Sequence, residues 1–276
     1  MAVEKPMAKV LGESGRYVGD QTLQKSREWT IAIFIGGYVA AFLCGVAICF
    51  SVAATRGSSV VYLAISILLI LVIGWVWRVT NRRLLESEKE HLKMRKGAVG
   101  EALLAVVLKG LSDDYWVIHD LSTPVGNLDH VVVGPTGVYL IDTKNWKGIV
   151  SADGHGELLL NGKPTEKATV RPIIGRTMAI REKVLSLCAN DQARQSEAPF
   201  FNAVLAFPSA KVEANWGSTG PADCVSDEKL LDYIIKNPKG RVVSAQQVES
   251  YAKAFRALAQ MDGDFEMQPS DPVISR

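Results

Sequence analysis

Two aspartates stand at the ends of two apolar runs that a tight turn connects. Val131–Val133 precede the turn formers 134–137 (Gly-Pro-Thr-Gly), and Val138–Ile141 follow them. Turn formers between β-branched and aromatic residues predict a β-hairpin. If the turn occupies residues 134–137, Asp129 on the first strand faces Asp142 on the second, with Cβ atoms roughly 4.5–5.5 Å apart.

The facing carboxylates predict a metal site. They repel each other at such a distance, and a divalent cation removes the conflict because hard cations such as Mg²⁺ take oxygen ligands. Lys144 follows Asp142 by two residues and therefore points to the same side of the sheet. Two acids and an ammonium group are the parts needed to activate a water against a phosphodiester. The alternative is a solvated Asp142–Lys144 pair at a strand end, and the facing Asp129 in an otherwise apolar strand argues against it. His130 alternates away from Asp129, so we expect it in the core or behind the site.

Two charge-free runs near the N-terminus, residues 29–54 and 60–77, predict a transmembrane helical hairpin. A span needs about 20 apolar residues, and the link between the runs is short. Glycines at 36, 37 and 45 would allow a homo-oligomer to form through the transmembrane helices. A buried core helix and a secretory signal peptide are the alternatives, but the tandem runs and the long preceding segment favour the hairpin.

Basic residues flank the predicted hairpin on its outer sides, whereas the link carries only Arg56. The distribution of Lys and Arg predicts that both termini are cytoplasmic, in a multi-pass protein of the inner (plasma) membrane with the lipid bilayer as a partner. The 4 cysteines show no Cys-x-x-Cys spacing, which indicates a reducing compartment for the remainder of the chain.

Composition divides the chain of 276 residues into five segments. We expect a polar cytoplasmic tail (1–28), the transmembrane hairpin (29–77), a charged helical stalk (78–96), a globular domain (97–261) and a frayed tail (262–276). The globular part is long enough to bury a core of its own. Its strands lie between helical segments, which predicts an α/β fold with a mixed sheet flanked by helices.

The patterns in the globular part also predict individual elements. We expect helices over 98–110, 172–189, 227–235 (with Ser226 as the N-cap) and 244–261, and strands over 115–120, 148–152, 158–160, 200–207 and 223–225, besides the central hairpin.

The charge balance limits how this part could bind nucleic acid. From residue 97 onward, 18 Lys and Arg stand against 22 Asp and Glu, so affinity for a polyanion cannot come from bulk charge. Basic residues between 144 and 183 are either a local patch or an ordinary solvated surface. Trp146 and Lys147 could contact a nucleic-acid backbone or stack on a base. The alternative for Trp146 is a hydrophobic plug at the sheet edge.

Three stretches carry a resemblance to a known family. They are 96–101 (Lys-Gly-x-x-Gly-Glu), 126–134 (Gly-Asn-Leu-Asp-His-Val-Val-Val-Gly) and 137–145 (Gly-Val-Tyr-Leu-Ile-Asp-Thr-Lys-Asn). Together they closely resemble the nuclease-related domain (NERD) family, which is regarded as related to the PD-(D/E)xK restriction-endonuclease-like fold. The chain departs from the family pattern at 171–175 (Arg-Pro-Ile-Ile-Gly), where the family tends to have Asn-Pro followed by a Gln.

The resemblance implies a restriction-endonuclease-like fold and a nuclease that uses Mg²⁺ or Mn²⁺. By position, Asp129 and Asp142 match the two sheet acids, Lys144 the motif lysine, and Glu101 the acid on the preceding helix. In related enzymes the acids hold the metal and the lysine orients the attacking water. The function it implies is hydrolysis of nucleic acid, with DNA as the expected substrate, at the cytoplasmic face of the membrane. The alternatives are a catalytically inactive, membrane-tethered nucleic-acid-binding or scaffold module and a two-span sensor for a small ligand.

Overall fold

A computed structural model gives the fold of the chain. It describes residues 7–12, scattered helical positions between 33 and 50, and residues 59–188, 198–214, 222–236 and 242–261. The chain forms two compact units. The first, which we call the helical unit, is Tyr17–Arg95, and the second, the sheet unit, consists of Met1–Arg16 and Lys96–Arg276.

The strands and helices are numbered in chain order. The strands are β1 (Lys9–Leu11), β2 (Trp116–Leu121), β3 (Leu128–Gly134), β4 (Gly137–Thr143), β5 (Gly148–Ala152), β6 (Leu158–Leu160), β7 (Lys163–Pro164), β8 (Phe201–Phe207), β9 (Ala210–Val212) and β10 (Ala222–Ser226). The helices are α1 (Ser59–Leu108), α2 (Val170–Cys188), α3 (Asp227–Ile235) and α4 (Ala245–Met261).

A mixed sheet of six strands, in the order β1-β2-β3-β4-β8-β10, forms the centre of the sheet unit. Strands β2, β3 and β4 pair antiparallel, whereas β1 pairs parallel with β2, and β4, β8 and β10 run parallel to one another. A smaller sheet has the order β7-β6-β5-β9. The parallel pairs need long connections, and the chain supplies α2 between β4 and β8.

Helices cover the large sheet on both faces, which explains why its central strands are apolar along their whole length. On one face, α2 and α4 pack over the strands through Ile180, Val184, Tyr251 and Phe255. On the other face, the C-terminal part of α1 and helix α3 do the same with Leu104, Leu108, Leu230 and Ile234. The expectation of a mixed α/β sheet flanked by helices is therefore confirmed for the sheet unit.

Two local expectations differ from the structure. Lys9–Leu11, expected to belong to a loose tail, form the edge strand β1, in which Val10 pairs with Val117. Ser226 occupies the N-cap position of α3, but its side chain makes no capping hydrogen bond. Instead, Asp227 Oδ1 accepts the N–H of Glu228 at 2.9 Å.

The predicted transmembrane hairpin is contradicted. Most of its first run, 29–54, lies outside the described residues. Its second run, 60–77, is at the short end of the usual range and opens α1, which continues through the charged segment 78–96 to Leu108. In the part of the chain that the structure describes, no helix is long and apolar enough to cross a membrane. This finding contradicts the expected N-terminal membrane hairpin and the multi-pass location in the inner membrane. The lipid partner and the oligomer through membrane helices lose their support with it.

Candidate active site

The β3–β4 hairpin brings Asp129 and Asp142 to one edge of the large sheet. Its ladder begins at the Gly134–Gly137 pair and, continued at the same register, sets Asp129 opposite Asp142. The tight turn needs glycine at its start, because a Cβ on Gly134 would overlap the ring of Tyr115. The register that the turn formers predicted is therefore confirmed.

Asp129 is a partly buried carboxyl group with other acids around it. Its Oδ2 accepts the backbone N–H of Thr143 at 2.6 Å. Burial raises the pKa of Asp129 to about 8, and the carboxylates of Asp142 and Glu101 add to the rise. The Thr143 N–H and the Lys144 ammonium lower it by less. Without a further cation, Asp129 is therefore mostly protonated near neutral pH.

Asp142 lies between two cationic side chains. Lys144 Nζ forms an ion pair with Asp142 Oδ2. Arg176, from α2, places Nη1 3.5 Å from Asp142 Oδ1. The Asp142 side chain is only 13% exposed, so these contacts are poorly screened by water.

Glu101 reaches the same edge from α1, because the helix packs closely against the end of β4. A Cβ on Gly100 would lie 2.7 Å from Asn145 Cβ, and Asn145 Nδ2 donates to Lys96 O at 2.5 Å. The pKa of Glu101 is raised to about 6, mainly by burial and to a smaller extent by the carboxylates of Asp120 and Asp142. The ammonium group of Lys144 lowers it by less. The four residues that the sequence assigned to the site are therefore close enough for their charges to affect one another: Glu101, Asp129, Asp142 and Lys144.

Three further residues at this edge were not predicted as site residues. The β2–β3 register, with His119 opposite His130 and Leu121 opposite Leu128, sets Asp120 across from Asp129 between these two pairs. Asp120 has a φ of 51°, in the left-handed region. Asn127 Nδ2 donates to Asp120 Oδ1 at 2.7 Å, and Arg176 Nη1 donates to Asn127 O at 3.0 Å. The register of β2, which the sequence alone does not give, would have revealed Asp120.

Comparison with known proteins identifies this part of the chain. Residues 96–208 match the family model described as "Nuclease-related domain", and that range contains Glu101, Asp129, Asp142 and Lys144. Residues 96–208 are a nuclease-related domain. The resemblance of the three sequence stretches is thereby confirmed.

A curated relative also matches over part of its length. It is an uncharacterized protein of Bacillus anthracis, 36% identical over 66 residues, which are 22% of this chain and 31% of that protein. The chain thus spans less than a third of this relative. No solved structure matches the chain.

In the nuclease-related domain, the two predicted substrate contacts differ in their surroundings. Trp146 packs against the core, with its ring centroid 5.4 Å from that of Phe207. This agrees with a hydrophobic plug at the sheet edge. Lys147 is exposed. Their contact with nucleic acid stays a prediction.

The carboxylates of the nuclease-related domain are chemically suited to binding a divalent cation. Within the described residues, no group of three or more His, Cys, Asp or Glu side chains is close enough to hold an ion together. Mg²⁺, however, commonly binds through one or two carboxylates and keeps several waters. Asp129 and Asp142 could supply such a pair, and a cation there would offset the repulsion from Asp142 and Glu101 that adds to the raised pKa of Asp129. A direct contact from Glu101 to the ion stays a prediction.

The other face of the same strands carries a buried histidine pair. His119 Nδ1 and His130 Nδ1 are 2.7 Å apart, with the rings edge to face. Burial lowers the pKa of His119 to about 4, helped by Lys109, and that of His130 to about 3, helped by His119. Both rings are therefore neutral at neutral pH, and the expectation that His130 is a core residue is confirmed.

Proposed function

We propose that the nuclease-related domain hydrolyses phosphodiester bonds of nucleic acid with Mg²⁺ or Mn²⁺ as cofactor. The register of the β3–β4 hairpin supports this proposal, because the ladder that ends at His130–Ile141 would, continued by one residue, set Asp129 opposite Asp142, with Lys144 two residues further on. A buried carboxyl group whose pKa is raised by burial and by two neighbouring acids is typical of a functional site.

Asp129 and Asp142 would hold the cation. When bound there, it would polarise a phosphate and lower the pKa of a coordinated water. Asp129 must lose its proton for this, so we expect cation affinity to rise with pH up to about 8.

Lys144 and Glu101 complete the site. Lys144, already paired with Asp142, places a positive charge where negative charge would develop on the phosphate. Glu101 has a pKa of about 6 and is mostly ionised at neutral pH, so it can accept a proton from the attacking water.

The experiment is cleavage of single- and double-stranded DNA and RNA by the full-length protein, with Mg²⁺, Mn²⁺ or EDTA. We expect metal-dependent cleavage that Asp142→Asn and Lys144→Ala each abolish. A matched control is the exposed pair at the end of β9, where Lys211 Nζ lies 2.6 Å from Glu213 Oε1 at the same two-residue spacing. Lys211→Ala and Glu213→Gln should leave cleavage unchanged. Cleavage that persists in both Asp142→Asn and Lys144→Ala would contradict the assignment.

One observation favours a second candidate, a nucleic-acid-binding module without turnover. Both oxygens of Asp142 already have cationic partners, Lys144 and Arg176, which a metal ion would have to share. Calorimetric titration with Mg²⁺ and Mn²⁺ separates the two functions. Binding that Asp129→Asn abolishes supports the enzyme, whereas silent titrations together with intact nucleic-acid binding support the module.

A further inference from the structure

Arg176 lies at the point where α2, the loop before β3 and the end of β4 meet. Its Nη1 donates to Asn127 O at 3.0 Å and lies 3.5 Å from Asp142 Oδ1. The chain approaches the guanidinium closely at Gly126, where a Cβ would lie 3.8 Å from Arg176 Nε. The side chain is nevertheless 27% exposed, so it is not sealed inside the fold.

Most donors of this guanidinium are available to an external acceptor. An arginine carries five N–H donors in a planar fork. Among the described residues, its acceptors are Asn127 O and Asp142 Oδ1, and Nη1 serves both. A planar fork with unused donors suits the two oxygens of a phosphate, which it can bind in a bidentate manner.

Asp142 does not need Arg176 as a counter-ion. Lys144 already neutralises that carboxylate through its other oxygen. The 3.5 Å separation between Arg176 Nη1 and Asp142 Oδ1 is longer than the 2.7–2.9 Å typical of a charge-assisted hydrogen bond. Asn127 O, at 3.0 Å, is the closer partner, and as a neutral oxygen it does not compensate the charge of the guanidinium.

The charge balance of the site indicates what the positive charge of Arg176 contributes. Four carboxylates (Glu101, Asp120, Asp129 and Asp142) stand against Lys144, Arg176 and a divalent ion, so these charges sum to zero with Arg176 and to one negative charge without it. Without Arg176 the site would repel a phosphodiester group, and the acidic balance beyond residue 97 supplies no other attraction for a polyanion.

We propose that Arg176 is a substrate-binding residue whose guanidinium binds a phosphodiester group of the nucleic acid at the edge formed by β3, β4 and α2. The inference rests on the proposed function and adds the residue that positions the substrate. Asn127 holds the guanidinium in place through its backbone oxygen.

The test measures binding without turnover. Fluorescence anisotropy in EDTA determines the affinity of the full-length protein for labelled DNA and RNA oligonucleotides over a series of KCl concentrations. With the oligonucleotide that the wild type binds best, Arg176→Ala and Arg176→Gln should each weaken binding about tenfold, and the slope of log affinity against log salt should fall by about 1. Arg176→Lys should restore the slope, because it keeps the charge, but only part of the affinity.

Lys183→Ala is the matched control. Lys183 lies on the same helix and, seven residues further on, on the same face, so its loss removes one charge away from the site. It should leave affinity and slope unchanged. Circular-dichroism melting curves show whether each variant is folded, and Arg176→Lys carries the comparison if Arg176→Ala unfolds.

The outcomes separate this inference from the proposed function. If the wild type cleaves nucleic acid but Arg176→Ala binds with unchanged affinity and slope, the inference is overturned and the proposed function stands. Equal losses in Arg176→Ala and Lys183→Ala would also overturn it, since bulk charge would then explain both. A wild type that neither binds nor cleaves overturns both.

Discussion

Asp129 and His130 are neighbours on β3, but their side chains lie on opposite faces of the sheet, and burial shifts their pKa values in opposite directions. Burial raises the pKa of Asp129 to about 8 and lowers that of His130 to about 3, so each favours its neutral form. His130 Nδ1 has His119 Nδ1 as a partner, but its Nε2 is buried without one. Asp129 accepts the N–H of Thr143 and otherwise faces the carboxylates of Asp142 and Glu101. The comparison shows that the surroundings of the two groups differ in charge: the histidine has a neutral neighbour, whereas the aspartate has acidic ones.

The largest expected effect comes from removing the carboxylate of Asp129 from its face of the sheet, which we call the acid face. Asp129→Asn should reduce cleavage by roughly 10³-fold, because it removes one of two carboxylates for the cation. His130→Gln, one residue away on the other face, should leave the rate of cleavage by folded protein within about tenfold. Single-turnover cleavage with Mg²⁺ measures both. Similar rates for Asp129→Asn and the wild type would remove the distinction between the faces.

The same substitution should stabilise the protein when no metal is present. The unfolded carboxyl ionises near pH 4 and the folded one near pH 8, so the native state alone holds the proton between these values. Stability of the wild type in EDTA should therefore fall as pH rises through this window. Relative to it, Asp129→Asn should gain on the order of 5 kcal/mol by pH 8 and little near pH 4. Denaturant unfolding across the window measures the gain, and a pH-independent difference would contradict the crowding of acids.

Removing a histidine from the opposite face of the sheet should lower the free energy of unfolding rather than the rate of cleavage. His130→Ala leaves a cavity and an unpaired buried His119 nitrogen, which together should cost about 2–3 kcal/mol of unfolding free energy. His155→Ala, at an exposed loop position, is the control and should change it little. Urea unfolding at neutral pH gives both values. A loss below about 1 kcal/mol would mean that the pair contributes little.

A smaller effect should follow from moving α1 away from the acid face. Gly100→Ala places a Cβ 2.7 Å from Asn145 Cβ, so the helix must shift, at a cost of about 1–2 kcal/mol and with some loss of cleavage through Glu101. Gly97→Ala is the control, since its Cβ would meet only Glu101 Oε1, at 3.9 Å. It should be neutral or slightly stabilising, because alanine favours helix. Equal effects of the two substitutions would argue against close packing at Gly100.

Local patterns predicted the centre of the site, and distant contacts decided the rest. The turn at Gly134–Gly137 fixed which residues of β3 and β4 face each other, so Asp129 and Asp142 could be paired from the sequence. Asp120 and Arg176 could not be placed, because their positions depend on the register of β2 and on the packing of α2.

The N-terminal part was predicted least well. The three residues of β1 are too few to show a period, and only the edge of β2 gives them a structure. The apolar runs suggested membrane spans because both are free of charged residues, but no helix in the described part of the chain is long and apolar enough to cross a membrane.

Strand β1 precedes the helical unit in the chain but belongs to the sheet unit. Tyr17–Arg95 is therefore an insertion, tethered at both ends to one body. A protease cut within it would leave Lys9–Leu11 attached to the rest only by the backbone hydrogen bonds and packing of an outermost strand. Release of the segment that carries β1 would bare the edge of β2, and an exposed strand edge can pair with another chain. An intact linkage would therefore help to keep this edge covered.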